Sequence, residues 1–212
     1  MLTIRQFTFN PLDENTYVIS DRKGACMIVD PGCYFGNERR ELIDYVRSEG
    51  LVPKSLLNTH CHPDHVFGNK FIADEYGVIL HIHPNEKPVL DVAPAMAAAW
   101  GFPFANYSGE ISYFNMNEPL WLGDDPLELR FTPGHSPGSV SFYSERDGWV
   151  IAGDALFRDS IGRTDLPGGD HQTLLQSIRS NLFTLPDDTV VYPGHGPATT
   201  IGYEKANNPY FM

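Results

Sequence analysis

Residues 59–65 read Thr-His-Cys-His-Pro-Asp-His. Three imidazoles and a carboxylate fall between positions 60 and 65 of a chain that has 8 histidines in all. The order H-x-H-x-D-H sets His60, His62, Asp64 and His65 on a turn too short to form a core of its own. Without an ion these groups compete for one small volume; a metal turns the crowding into a site. Imidazole nitrogen and carboxylate oxygen suit Zn²⁺ or Fe²⁺, whereas Ca²⁺ and Mg²⁺ prefer all-oxygen cages.

Three later positions complete the pattern. His135 stands in TPGHSPG after the apolar run LELRFT, Asp154 closes WVIAG, and His195 stands in YPGHG after TVV. Each lies where a predicted strand runs into a Gly/Pro turn, the place where loops at a sheet's edge collect functional groups. Five histidines and two aspartates are too many for one tetrahedral ion and suit two. With a carboxylate bridging, such ions sit roughly 3.5–4 Å apart and share a water.

Period-two alternation through Leu2, Ile4, Phe7 and Phe9, then TYVIS and ACMIVD, predicts antiparallel strands at the start of the chain. GNERRELIDYVRSEG carries Leu42, Ile43, Tyr45 and Val46 on a helical face, with Gly50 as C-cap. KSLLNT is a short strand ending at the histidine turn. A helix (NKFIADEYG), a strand (VILHIH) and a helix around 85–100 follow. The stretch 100–116, WGFPFANYSGEISYFNM, reads as an aromatic surface loop. Strands return in PLWL, LELRFT, SVSFYS and WVIAGD, before a helix (HQTLLQSIRSNLF) and a strand (TVVYP). Two strand-rich halves with outer helices predict an α+β fold, a four-layer αββα sandwich, as a single domain over residues 1–212.

The order of the seven ligands resembles the metallo-β-lactamase superfamily, in its hydrolase branch with a bridging aspartate. By that resemblance His60, His62 and His135 bind a first metal, Asp64, His65 and His195 a second, and Asp154 bridges them. Asp30, in the VDPG turn at 29–32, matches the family aspartate that holds the ligand loops. GDALFRDSIGRTDLPGGD (153–170) and YPGHGPATTIGYEKANNPYF are similar to the short, single-domain relatives of glyoxalase II, the hydroxyacylglutathione hydrolases. Longer members of that family grip glutathione with a C-terminal helical domain. After His195 this chain offers Lys205 as its basic residue, so the thiol carrier stays open. The enzymes that destroy β-lactams usually have cysteine where this chain has Asp154.

The resemblance implies hydrolysis of a small-molecule thioester by metal-activated hydroxide attack, with two divalent metals, zinc first and iron or manganese as alternatives. A thiolate leaves readily, so the metals suffice, and Asp64 is the one side chain assigned a catalytic role, orienting the nucleophilic water. The GDAL and GRTD strings also resemble mononuclear-iron persulfide dioxygenases, the alternative reaction. A metal-storage role ranks third, because every ligand is present.

The net charge of −12 repels polyanions, so no nucleic-acid partner is expected. No apolar run reaches membrane-spanning length and no signal peptide is evident; with 3 cysteines, too few for a disulfide framework, this places the chain in the cytoplasm. Oligomeric state is not legible. His81 and His83 read as strand histidines rather than a second metal site. Cys61 and Cys33 read as small fillers, His171 as the first turn of a helix capped by Asp170, and Arg163 and Arg158 as partners of neighbouring carboxylates.

Overall fold

The computed structural model describes all 212 residues. The chain divides into two compact units, Met1–Phe114 with Trp121–Asp125, and Asn115–Leu120 with Pro126–Met212.

The first unit is built on a six-stranded sheet in the order β1-β2-β3-β4-β5-β6. β1 (Thr3–Phe9) and β2 (Glu14–Ser20) form a hairpin with Phe9 opposite Glu14, and β3 (Ala25–Val29) continues the antiparallel run. From β3 onward the pairing is parallel, through β4 (Val52–Leu57), β5 (Leu80–Ile82) and β6 (Ile111–Tyr113). Parallel neighbours need crossovers. α1 (Gly36–Ser48), α3 (Asn69–Tyr76) and α4 (Lys87–Ala99) supply them in turn. Their apolar faces, with Leu42, Ile72, Leu90 and Ala93, share a core with Val18, Ile28, Leu56, Leu80 and Ile82 of the sheet. Gly50 follows the C-cap Glu49 at φ 62°, the left-handed conformation that stops α1. The histidine turn leaves β4 and closes into a single helical turn, α2 (Pro63–Val66), with Pro63 at the first helical position. Asp30 leaves β3 at the same carboxyl edge, where parallel strands present their ligand-binding loops.

A second sheet has the order β14-β13-β10-β9-β8-β7, and its residues other than Trp121–Asp125 belong to the second unit. Its strands are β7 (Leu120–Leu122), β8 (Asp125–Phe131), β9 (Val140–Ser144), β10 (Trp149–Gly153), β13 (Val190–Pro193) and β14 (Thr199–Thr200). β9 is antiparallel to both β8 and β10, and β13 is parallel to β10. Hence β8, β10 and β13 all end at one edge of the sheet. A two-stranded ribbon, β11 (Leu156–Phe157) with β12 (Ser160–Ile161), follows Asp154. α5 (His171–Ser177) runs on through a π-type turn at Ile178–Leu182, and α6 (Ile201–Asn207) closes the chain. Leu174, Ile178, Leu182 and Ile201 pack with Val150, Ala152 and Val191.

Three features depart from the sequence reading. The aromatic segment contains β6, the ribbon β11–β12 was not foreseen, and β14 with α6 follows His195 where no element was assigned. His81 lies in β5, but His83 lies beyond it and caps the 3-10 turn Pro84–Glu86, accepting the Asn85 N–H (3.2 Å). Burial holds both imidazoles below their ordinary pKa. No helix is long and apolar enough to cross a membrane.

Candidate metal centre

In the first unit the turn after β4 gathers its four candidate ligands. The His60 and His62 rings meet edge-on with centroids 4.8 Å apart, and His60 lies 4.1 Å from His65. Asp64 Oδ2 is 3.6 Å from His65 Nε2. All four residues are buried. A tight cluster of imidazoles and carboxylates out of water is costly unless something compensates it, and a cation is the natural partner.

Asp30 organises that turn. Its Oδ1 accepts the Thr59 N–H (2.7 Å) and the Asn58 amide (3.2 Å), and its Oδ2 accepts the Thr59 hydroxyl (2.6 Å) and faces His65 Nδ1 at 3.2 Å. Asp30 holds φ 48°, a left-handed conformation uncommon outside glycine, so the carboxylate is aimed at some backbone cost. With Nδ1 turned to Asp30, Nε2 is the nitrogen His65 offers a metal. His60 Nδ1 lies 3.1 Å from the Thr59 hydroxyl, which orients that ring in the same manner. Asp30, His60 and His65 place donor atoms within 4.8 Å of one another. The carboxylate is committed to Thr59 and Asn58, so here it braces the histidine turn.

Other supports come from farther along the sequence. Asn10 donates its amide to the carbonyls of Gly32 (3.0 Å) and Asp64 (3.1 Å), tying the β1–β2 hairpin to both ligand loops. A Cβ on Gly32 would lie 2.5 Å from the Asp64 carbonyl, which explains the glycine of the VDPG turn. Glu86, fully buried at the foot of α4, accepts the Cys61 N–H at 2.7 Å and so fixes the peptide between His60 and His62. Glu14 Oε1 sits 3.8 Å from His65 Nδ1; burial pushes its carboxyl well above the ordinary range, against the attraction of His65. Sequence reasoning missed Asn10, Glu14, Asn58, Thr59 and Glu86. Only Asn58 and Thr59 adjoin the motif; the others carry no spacing signal.

In the second unit β8, β10 and β13 deliver His135, Asp154 and His195 from one edge of the sheet. Asp154 Oδ2 lies 3.4 Å from His135 Nε2 and 3.6 Å from His195 Nε2. Tetrahedral donors about 2.1 Å from an ion stand about 3.4 Å apart, so this carboxylate oxygen is at a distance from each imidazole that suits sharing a divalent metal with it. His135 Nδ1 is 2.7 Å from the Arg163 carbonyl, which fixes Nε2 as the ligating nitrogen. Gly162 is required beside it: a Cβ there would overlap the Asp154 carbonyl oxygen and come within 3.0 Å of His135 Nδ1. The Arg163 side chain is turned to Asp165 in a two-pronged pair (2.7 and 2.8 Å), which lowers that carboxyl to about 2. Arg158 lies over the Tyr203 ring and 3.8 Å from Asp159. Both arginines are therefore paired within the protein, as the sequence suggested.

The cysteines are buried and free of disulfides. Burial pushes the Cys26 and Cys33 thiols to about 12 and the Cys61 thiol upward as well, which keeps all three from acting as nucleophiles.

The model of the metallo-β-lactamase superfamily matches residues 9–195, a span that includes all seven candidate ligands. The chain belongs to the metallo-β-lactamase superfamily. It has the fold of that superfamily, of the α+β class. Among relatives in the superfamily, a probable metallo-hydrolase of Bacillus subtilis, YqgX, is 38% identical over 97% of this chain and 96% of its own. The hydroxyacylglutathione hydrolase GloC of Haemophilus influenzae is 36% identical over 93% and 92%. Among solved structures, the B3 metallo-β-lactamase BLEG-1 superposes with a TM-score of 0.91 at 35% identity, covering 99% of this chain and 100% of that one. TTHA1623, solved in a di-iron-bound form, gives 0.86 at 35% identity, covering 97% and 99%.

Proposed function

We propose that this superfamily member is a metal-dependent hydrolase that cleaves a thioester of the S-2-hydroxyacylglutathione class, releasing a 2-hydroxy acid and a thiol. Residues 1–212 act as one domain. His60, His62 and His135 would hold one divalent metal and Asp64, His65 and His195 a second, with Asp154 shared between them. The observation that carries this reading is Asp154 Oδ2, set 3.4 and 3.6 Å from two imidazole nitrogens. The likeness to GloC over nearly both whole chains supports the thioester.

Divalent cations on these donors supply the Lewis acidity that makes water a nucleophile near neutral pH and polarises a carbonyl. The chain supplies the rest. Asp30 and the Arg163 carbonyl hold His65 and His135 with Nε2 presented. Asp64 orients the attacking water. A thiol of pKa about 8.5 departs as thiolate, so no side chain need protonate it. Zinc is the first choice of metal, and the likeness to a di-iron form supports iron. Three buried, unpaired thiols support a cytoplasmic setting.

The test is a panel run with metal analysis on the same sample: S-lactoylglutathione, other acyl thioesters, glutathione persulfide and nitrocefin. Thiol release from a thioester with two metals per chain is the expected result. One iron per chain with oxygen uptake on the persulfide would replace hydrolysis by the dioxygenase reading. Nitrocefin is included because of the likeness to BLEG-1, and its turnover without thioester cleavage would overturn the proposal.

A further inference from the structure

The aromatic segment at 100–116 has a role in the first unit beyond covering it. Between the start of α1, the outer face of α3 and residues 103–105 lies a cavity of about 590 Å³. It is an open cleft, within the size range of clefts that take small organic ligands. Its walls are aromatic, from Tyr34, Phe67, Phe71 and Phe104, and Arg39 and Lys70 bring charge to it. The walls are fixed in place. The Tyr34 hydroxyl donates to the Pro103 carbonyl (3.1 Å), and the Tyr34 ring packs against Phe67 (4.9 Å) and Phe102 (5.8 Å). Phe67 meets Phe104 edge-on at 5.2 Å.

The charges around the cavity are committed unequally. Lys70 is paired with Asp74 at 2.6 Å, so those two cancel. The Glu38 carboxylate is taken up by the N–H groups of Asn10, Tyr34 and Phe35 at 2.8–2.9 Å, which also occupies the start of α1. Arg39 differs. Its guanidinium lies 5.2 Å from the centre of the Phe71 ring and gives Nε to the Cys33 carbonyl at 3.3 Å. That contact commits one of the five N–H donors of a guanidinium, and stacking on an aromatic face orients the fork that remains. A cation held ready in an aromatic recess, on a chain of net charge −12, is matched by a monoanion on an apolar body.

We infer that this cavity binds a small aromatic carboxylate, its ring among Tyr34, Phe67 and Phe104 and its carboxylate on Arg39. Occupancy depends on neither bound metal nor turnover, so a failure here leaves the thioester reading standing, and the reverse.

The experiment titrates the purified protein with 2-naphthylacetate and with the neutral 2-(2-naphthyl)ethanol, followed by naphthyl fluorescence. Saturable binding of both is expected, with the acid about tenfold tighter, the worth of one charged hydrogen-bonded contact. Arg39→Gln should bring the acid down to the affinity of the alcohol and leave the alcohol unchanged. Phe104→Ala should weaken both, and far-UV circular dichroism confirms that each variant is folded. Should Arg39→Gln lose its fold, Arg39→Lys, which keeps the charge without the fork, should narrow the preference. No saturable binding, equal affinity of the wild type for acid and alcohol, or an acid preference untouched in a folded Arg39 variant would overturn the inference, the last by placing the carboxylate elsewhere.

Discussion

Asp30 Oδ2 lies 3.2 Å from His65 Nδ1, and the same carboxylate carries the Thr59 hydroxyl, the Thr59 N–H and the Asn58 amide. The residue is buried, so removing it strands several donors at once. Asp30→Ala should cost about 3 kcal/mol, read by urea unfolding of the metal-free protein. Asp30→Asn, which keeps one acceptor, should be milder in stability yet weaken metal binding by about 10- to 100-fold in competition with a chromogenic chelator. Wild-type metal affinity in Asp30→Asn would show that His65 needs no such partner.

Glu86 reaches the centre through a backbone group. Its carboxylate accepts the Cys61 N–H, between His60 and His62. Glu86→Gln retains an acceptor and should keep a Co²⁺ absorption spectrum near that of the wild type. Glu86→Ala should shift the visible bands as His60 and His62 relax. Identical spectra in the two variants would mean that Glu86 serves packing alone.

Gly162 carries no functional group, yet a methyl there meets the Asp154 carbonyl and His135 Nδ1. Gly162→Ala should lower metal content and activity together, with the fold retained by circular dichroism. Full occupancy in this variant would contradict the tight fit of the loop after Asp154.

Asp170 caps α5 by accepting the Thr173 N–H at 2.7 Å, and hydrogen bonding from Thr173, its side chain first and this backbone group second, holds the Asp170 pKa below the ordinary value. A folded-state pKa lower than the unfolded one gives stability that is present above about pH 4 and lost as pH falls below it. Asp170→Ala should therefore lower Tm at pH 7, with the gap to the wild type shrinking in acid. Asp170→Ser, which still caps, should recover most of the loss at pH 7. A gap unchanged down to pH 2 would contradict the assignment.

All 3 cysteines are buried, two with thiols near pKa 12. Ellman's reagent should find less than one thiol in the native protein and three in guanidinium. Rapid labelling of the native state would show that these sites open.

The candidate ligands stood out in the sequence because their chemistry is local: His60, His62, Asp64 and His65 share one turn, and His135, Asp154 and His195 each follow a strand of evident apolar pattern. The residues that hold them were not. Glu86 acts on Cys61 from 25 positions away and Asn10 on Asp64 from 54, contacts that leave no period in the sequence. The missed strands were short ones. β6 spans three residues in a segment rich in Gly and Pro, and β11, β12 and β14 span two each, below the length at which alternation shows. His83 was assigned to a strand on apolar alternation, but Pro84 behind it ends the pairing and starts a turn.

The central claim is that seven side chains hold two divalent ions and that this pair cleaves a thioester. It is tested most directly by adding Zn²⁺, Fe²⁺ or Mn²⁺ stepwise to chelator-stripped protein and measuring thiol release from S-lactoylglutathione. Thiol release should climb and level off at two equivalents, and Asp154→Asn should stay near the metal-free rate throughout. No thiol release at any loading with any of the three metals, or full activity in Asp154→Asn, would contradict it.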